Sequence, residues 1–151
     1  MPNPRKPRSK CITCGNEPSR PGYKYCSNIC QQKFQQTRYI EAWKSRKISG
    51  LQSIGIVSVP IKRYLREKFG DKCCLCGWSK VNQKTGKVPL VADHIDGNWR
   101  NNSESNLRLI CPNCDALLPT FSALNKGRGR NNRIYDNRAK EAGEFVKNFS
   151  Q

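Results

Sequence analysis

Histidine occurs once in this sequence, at position 94, and acidic residues are scarce, 11 against 28 lysines and arginines. Imidazole is the one unperturbed side chain that changes charge near neutrality, so proton chemistry at that pH falls on His94. The shortage of acids leaves a net charge of +17 on 151 residues. Such a charge attracts a polyanion from a distance and releases counterions on binding. Nucleic acid is the partner this implies, with an anionic membrane surface as the competitor. Long apolar runs are also missing. No segment approaches the ~18 consecutive apolar residues of a membrane span, and residues 1–10, MPNPRKPRSK, lack the apolar core of a signal peptide. The expectation is a soluble, intracellular protein with no membrane association. Hydrophobic residues make up only 36% of the chain, too few for burial alone to stabilise one moderate domain or two very small ones easily.

Cysteine is what the chain has in place of a large core. The nine cysteines fall into two sets of four plus one. Cys11-x-x-Cys14 is followed by Cys26-x-x-x-Cys30, and Cys73-x-x-Cys76 by Cys111-x-x-Cys114. Two short-spaced chelating pairs brought together by a fold make a tetrahedral zinc site. A reducing compartment and an odd cysteine count favour two structural zinc ions over a disulfide framework. Cys74 is left over; Cys73 is preferred to it as ligand because it keeps the two-residue gap to Cys76.

Along the chain, residues 1–10 read as a flexible basic tail, lying along phosphates or simply solvated. Residues 11–48 form a four-cysteine module and a helix. Ser27 is its N-cap, Cys30 falls in its first turn, and Phe34, Ile40 and Trp43 make an apolar face. Tyr23 and Tyr25 suggest a short strand into Cys26. Residues 49–60 (SGLQSIGIVSVP) read as a linker with at most a short strand at 56–59. After Pro60, Ile61, Leu65 and Phe69 recur at four-residue steps along a helix that Gly70 ends. Residues 82–87 read as a turn and 88–95 as a strand. A polar loop spans 97–105, residues 107–110 form the returning strand, and a helix starts at Pro112 with Cys111 and Cys114 around its first turn. The main domain runs over 61–130, and 131–151 is a basic C-terminal extension. Asp96 and Glu104 read as loop carboxylates. Arg100, Arg108, Lys126, Arg128, Arg130 and Arg133 are candidates for nucleic-acid contacts, chiefly to phosphates.

The order Asp93-His94, then Asn106, then Cys111-x-x-Cys114 with Asp115 touching it resembles the HNH nucleases. So do HIDGN at 94–98, NLRLIC at 106–111, CGW at 76–78 and PTF at 119–121. With the N-terminal four-cysteine finger, the pattern is similar to phage-encoded and homing-type HNH proteins over most of residues 11–130. The resemblance implies a small α+β fold, in which two strands and a helix meet at zinc (the ββα-metal core), preceded by a second zinc module. It implies a metal-dependent DNA endonuclease, nicking or cutting both strands, in the cytoplasm of a bacterial or phage-infected cell. His94 would act as general base, and Asp93 and Asp115 would hold a catalytic Mg2+ or Mn2+. Asn106 would tie the loop and orient the histidine. Phosphodiester cleavage needs an activated water, neutralisation of phosphate charge and stabilisation of the departing 3′-oxygen, and these residue types supply that chemistry. One departure stands out. The family usually has a histidine, or an asparagine, where this chain has Asp115. The alternative reading is therefore a catalytically inactive, zinc-stapled DNA-binding protein on the same fold. An RNA-binding or assembly factor has only the charge in its favour.

Overall fold

The computed structural model describes residues 9–53, 55–121 and 124. The candidate phosphate contacts Lys126, Arg128, Arg130 and Arg133, most of the basic tail and the C-terminal extension lie outside the described residues. The chain divides into two compact units, residues 1–41 and 42–151. No described helix is long and apolar enough to cross a membrane.

The first unit is built on thiol knuckles. Gly15 N–H donates to the Cys11 carbonyl and Cys11 N–H to the Asn16 carbonyl, closing a tight turn. Thr13 Oγ1 donates to the Cys30 carbonyl at 2.8 Å, tying the knuckle to the helix whose first turn carries Cys30. That helix, α1 (Asn28–Lys44), begins after Ser27, whose hydroxyl accepts from Cys30 N–H at 3.3 Å. No strand forms around Tyr23 and Tyr25. Tyr25 packs its ring on Phe34 at 5.6 Å instead, and the unit's buried residues are Cys11, Pro18 and Ile40.

The second unit opens with the last turn of α1. Residues 49–60, expected as a linker, contain a short antiparallel ladder between β1 (Leu51–Ser53) and β2 (Ile56–Val57). Strands of three and two residues are too short to reveal a period, but burial of Leu51 and Val57 gives them a function in the core. Gly50 makes this possible. Its φ is +75°, and a Cβ there would overlap Ile61 Cδ1 and lie 2.7 Å from Trp43 Cδ1. Helix α2 (Val59–Phe69) follows, with Pro60 in its first turn and Gly70 as the left-handed C-cap. It buries Ile61 and Leu65 completely.

Strands β3 (Val91–His94) and β4 (Leu107–Ile110) pair antiparallel, with Asp93 opposite Arg108 and His94 opposite Leu107. The first strand is shorter than the apolar run at 88–95 suggests, and the Val88 carbonyl accepts from Arg66 Nη2 at 2.9 Å. Helix α2 packs on β4, and the short α3 (Pro112–Ala116) packs on β3. Leu107, Leu109 and Ile110 are at most 2% exposed, so β4 is the centre of this unit. The turn at 82–87 forms as expected, closed by Gly86 N–H on the Asn82 carbonyl.

Candidate metal centres and nuclease site

Both four-cysteine sets come together as the spacing requires. Within each, the four sulfurs lie within 4.8 Å of one another. Cys14 and Cys26 Sγ are 3.4 Å apart, Cys26 and Cys30 3.5 Å, and Cys76 and Cys111 3.7 Å. A tetrahedron of Zn–S bonds about 2.3 Å long has edges of about 3.8 Å, so these separations fit zinc sites. A disulfide would need about 2.05 Å, and all nine cysteines are free thiols. Cys74, beside the second set, donates its backbone N–H to Leu109 O and stitches the knuckle onto β4.

The thiols are polarised in the same way in both sets. Burial opposes ionisation of Cys11, but backbone N–H groups of Cys26, Cys14 and Thr13 outweigh it and bring the thiol down to about 6. Cys73 also falls to about 6, against burial, through the backbone of Cys76, Cys111 and Leu75. The sulfurs of Cys14 and Cys30 push Cys26 up to about 12, and those of Cys76 and Cys111 push Cys114 up to about 12. Four sulfurs this close cannot all ionise without a cation among them; a dication resolves the conflict and expels the protons.

The second set fixes the frame of the remaining site. Cys73, Ile110 and Cys111 form a buried cluster against Trp78, Leu90, Cys114 and Leu118. Cys111 is the N-cap of α3, its sulfur accepting from Cys114 N–H at 3.4 Å. Asp115 lies in the first turn of that helix and Asp93 on the strand it packs against. Asp93 is already engaged. Its Oδ2 accepts from Arg108 Nε at 2.7 Å, in a pair whose side chains are only 11% and 20% exposed. Arg108, expected at phosphates, therefore neutralises the candidate metal ligand across the ladder.

His94 is the last residue of β3, where the chain leaves the sheet and the strict alternation of faces ends. Its Nε2 lies 2.8 Å from Asn102 Oδ1. Asn102 Nδ2 donates to the Trp99 and Arg100 carbonyls at 3.2 and 3.4 Å, and these bonds decide which end of the amide faces the imidazole. An acceptor facing Nε2 puts the proton of the neutral ring on Nε2 and leaves the Nδ1 lone pair as the base. Asn102 is itself held by Trp43, whose indole N–H donates to its backbone carbonyl at 2.6 Å; both residues are buried.

Asn106 binds elsewhere. Its Nδ2 donates to Asp96 Oδ1 and to the Asn101 carbonyl, both at 2.8 Å, and its Oδ1 accepts from Asp96 N–H. Asp96 further accepts from Asn98 N–H and Asn101 Nδ2. Asn106 thus ties the loop, while the contact to His94 comes from Asn102, which sequence reasoning passed over. The two asparagines at 101 and 102, in a loop already rich in asparagine, gave no sign of which one is buried. Asp96 is the loop carboxylate expected, whereas Glu104 opens a 3-10 turn, Glu104–Asn106. Glu104 pairs with Lys68 at 2.8 Å and Lys44 at 3.4 Å and accepts from Tyr64. Arg100 stacks on Trp99 at 4.4 Å.

The local architecture is thus two antiparallel strands and a helix on a four-thiol site, with a histidine and two aspartates on those elements. A 57-residue segment, 38% of the chain, is 47% identical to the H-N-H endonuclease F-TflIV of Escherichia phage T5. The resemblance carried by the motifs therefore extends to a named HNH endonuclease. The matched segment spans about a quarter of that relative, 24% of its length. No family model matches the chain, and no solved structure matches it.

Proposed function

We propose that this protein is a metal-dependent HNH-type endonuclease that hydrolyses phosphodiester bonds of DNA. The observation that supports it most is His94 at the end of β3, its Nε2 2.8 Å from the side-chain oxygen of buried Asn102, a contact that favours the tautomer with Nδ1 as proton acceptor. A water approaching a phosphate gives its proton to Nδ1 as its oxygen bonds to phosphorus. The bond to the 3′-oxygen breaks and the departing oxygen takes a proton from solvent water, leaving a 5′-phosphate and a 3′-hydroxyl. Asn102 fixes the tautomer and aims the ring. Asp93 and Asp115 would hold Mg2+ or Mn2+, which when bound offsets charge on the phosphate and on the leaving oxygen. Arg108 keeps the Asp93 carboxylate oriented, and Asn106 holds the loop that carries Asn102. The two four-thiol sites are structural, since a site closed by four sulfurs offers substrate no open position. DNA binds chiefly through its phosphates, consistent with the charge of +17.

A second reading, an inactive DNA-binding protein on the same fold, draws on Asp115. Its extra negative charge tightens a cation but weakens its pull on the phosphate. Supercoiled plasmid incubated with the zinc-loaded chain and Mg2+ or Mn2+ separates the two. The nuclease reading expects nicked or linear product that requires the divalent ion. Shifted but intact plasmid under every divalent ion tried would leave only the binding reading.

A further inference from the structure

A groove of about 780 Å3 opens within the second unit, beside the loop that carries Asn102. Five of its lining side chains, Lys44, Arg46, Lys47, Lys68 and Arg100, are cationic and one, Glu104, is acidic, a net +4. All five cationic residues are exposed. Glu104 is already satisfied by Lys68, Tyr64 and Lys44, which hold its carboxyl down at about 2. It cancels part of the charge of two lysines, and the groove keeps a positive field to which Arg46 and Lys47 contribute.

Arg46 supplies a separate observation. Helix α1 ends in a Schellman motif, with Arg46 N–H on the Trp43 carbonyl and Lys47 N–H on the Ala42 carbonyl, both at 2.9 Å. The residue at the left-handed position of that motif is usually glycine. Here it is Arg46, at φ +58°, where a side chain is strained and glycine is not. The cap would form better without a side chain, so the arginine occupies this position at a conformational cost. The helix end itself offers no attraction to an anion, since its carbonyls carry a partial negative charge of about half an electron. Four net positive charges outweigh that.

From these observations we infer that the groove is a DNA backbone site, taking phosphates of a segment away from the scissile bond. This deepens the nuclease reading and rests on it. Arg46 and Lys47 present cations at the end of α1, and Arg100 and Ser103 come from the loop that also tethers His94 through Asn102. Backbone phosphates are the fitting ligand because five cationic side chains and the hydroxyls of Ser49, Ser103 and Ser105 line the groove. DNA seated there would press on the loop that aims the base, so binding and alignment share one element.

The test is fluorescence anisotropy of the full zinc-loaded chain on a labelled DNA duplex, in a His94→Ala background that does not cut. Salt is raised from about 50 to 200 mM. Arg46→Gly suits the left-handed cap and removes the charge while leaving the fold intact. Combined with Lys47→Ala it is expected to weaken binding about tenfold and to flatten the log–log salt slope by about 2. Lys80→Ala with Lys84→Ala, exposed and outside the groove, removes the same charge and is expected to change the slope far less. An unchanged slope in the groove double variant, or an equal loss in the control, overturns the site and leaves the nuclease reading standing. If the parent chain bound no duplex at any salt, the nuclease reading would fall, and the groove with it.

Discussion

His94 can act as a base only if its ring is held in one tautomer, and Asn102 Oδ1, 2.8 Å from Nε2, is the atom that holds it. Asn102→Ala is expected to lower kcat about 10–100-fold with little change in KM, the usual cost of losing the partner that orients a catalytic imidazole. Asn102→Asp keeps an acceptor and adds charge. It should recover part of the rate and move the acid limb of the pH–rate profile to higher pH, because a carboxylate stabilises the imidazolium. A residue that merely filled space would move the profile in neither variant. Glu104 offers a second residue-scale test. Lys68 first, then Tyr64, hold its carboxyl at about 2 against an ordinary 4.5. A folded-state pKa below the unfolded one stabilises the native state above the unfolded value, and the stabilisation fades as pH falls through the folded one. Urea unfolding of Glu104→Gln beside the parent should therefore show a loss of about 1 kcal/mol at neutral pH. That gap should hold down to about pH 4.5 and shrink toward pH 2, with acid release of metal common to both proteins. At this scale the eight thiols were legible because they are regularly spaced, and His94 stood out because it is unique, whereas Asp93 and Asp115 were singled out only by the resemblance. Asn102 stayed hidden because its importance lies in burial, which an asparagine in a polar loop does not advertise.

Among the elements, those with a strong local signal were legible to within a residue or two. Ser27 starts α1, Pro60 and Gly70 bound α2, and Pro112 opens α3. Residues 107–110 form β4 as read. The pairing of β1 with β2 was not legible, because two- and three-residue strands carry no period and their stability comes from Leu51 and Val57 entering a core assembled from distant residues. The expected strand at Tyr23 and Tyr25 lost to knuckle geometry, Ile12 N–H reaching the Lys24 carbonyl as a single bond and not as a ladder. Gly50 is where this element-level account is most exposed to test. Gly50→Ala forces a side chain into a left-handed conformation and against Ile61 and Trp43. Strain and overpacking each cost about 1–3 kcal/mol, so the variant should unfold at clearly lower urea than the parent. An alanine variant as stable as the parent would mean that the packing of Trp43 over this turn is wrong.

For the molecule as a whole, the described structure pairs a small core with two thiol clusters, each of which could hold a metal ion that would cross-link its unit. Each unit carries one four-thiol site, and in the second the buried cluster of Cys73, Ile110 and Cys111 joins that site to the strand opposite Asp93 and His94. The cysteine spacing displayed the two thiol sets in the sequence, and the +17 charge is the basis for expecting a polyanionic partner. The groove at the end of α1 was not legible, since it joins residues around 46, 68, 100 and 104 that only the fold assembles. The most direct test of the account is the nicking rate of supercoiled plasmid by the parent chain and by His94→Ala, each with its zinc content measured. The account predicts that both hold two zinc ions, that the parent nicks in Mg2+ or Mn2+, and that the variant loses at least about 100-fold of the rate. A variant that retains its zinc and nicks as fast as the parent would contradict it.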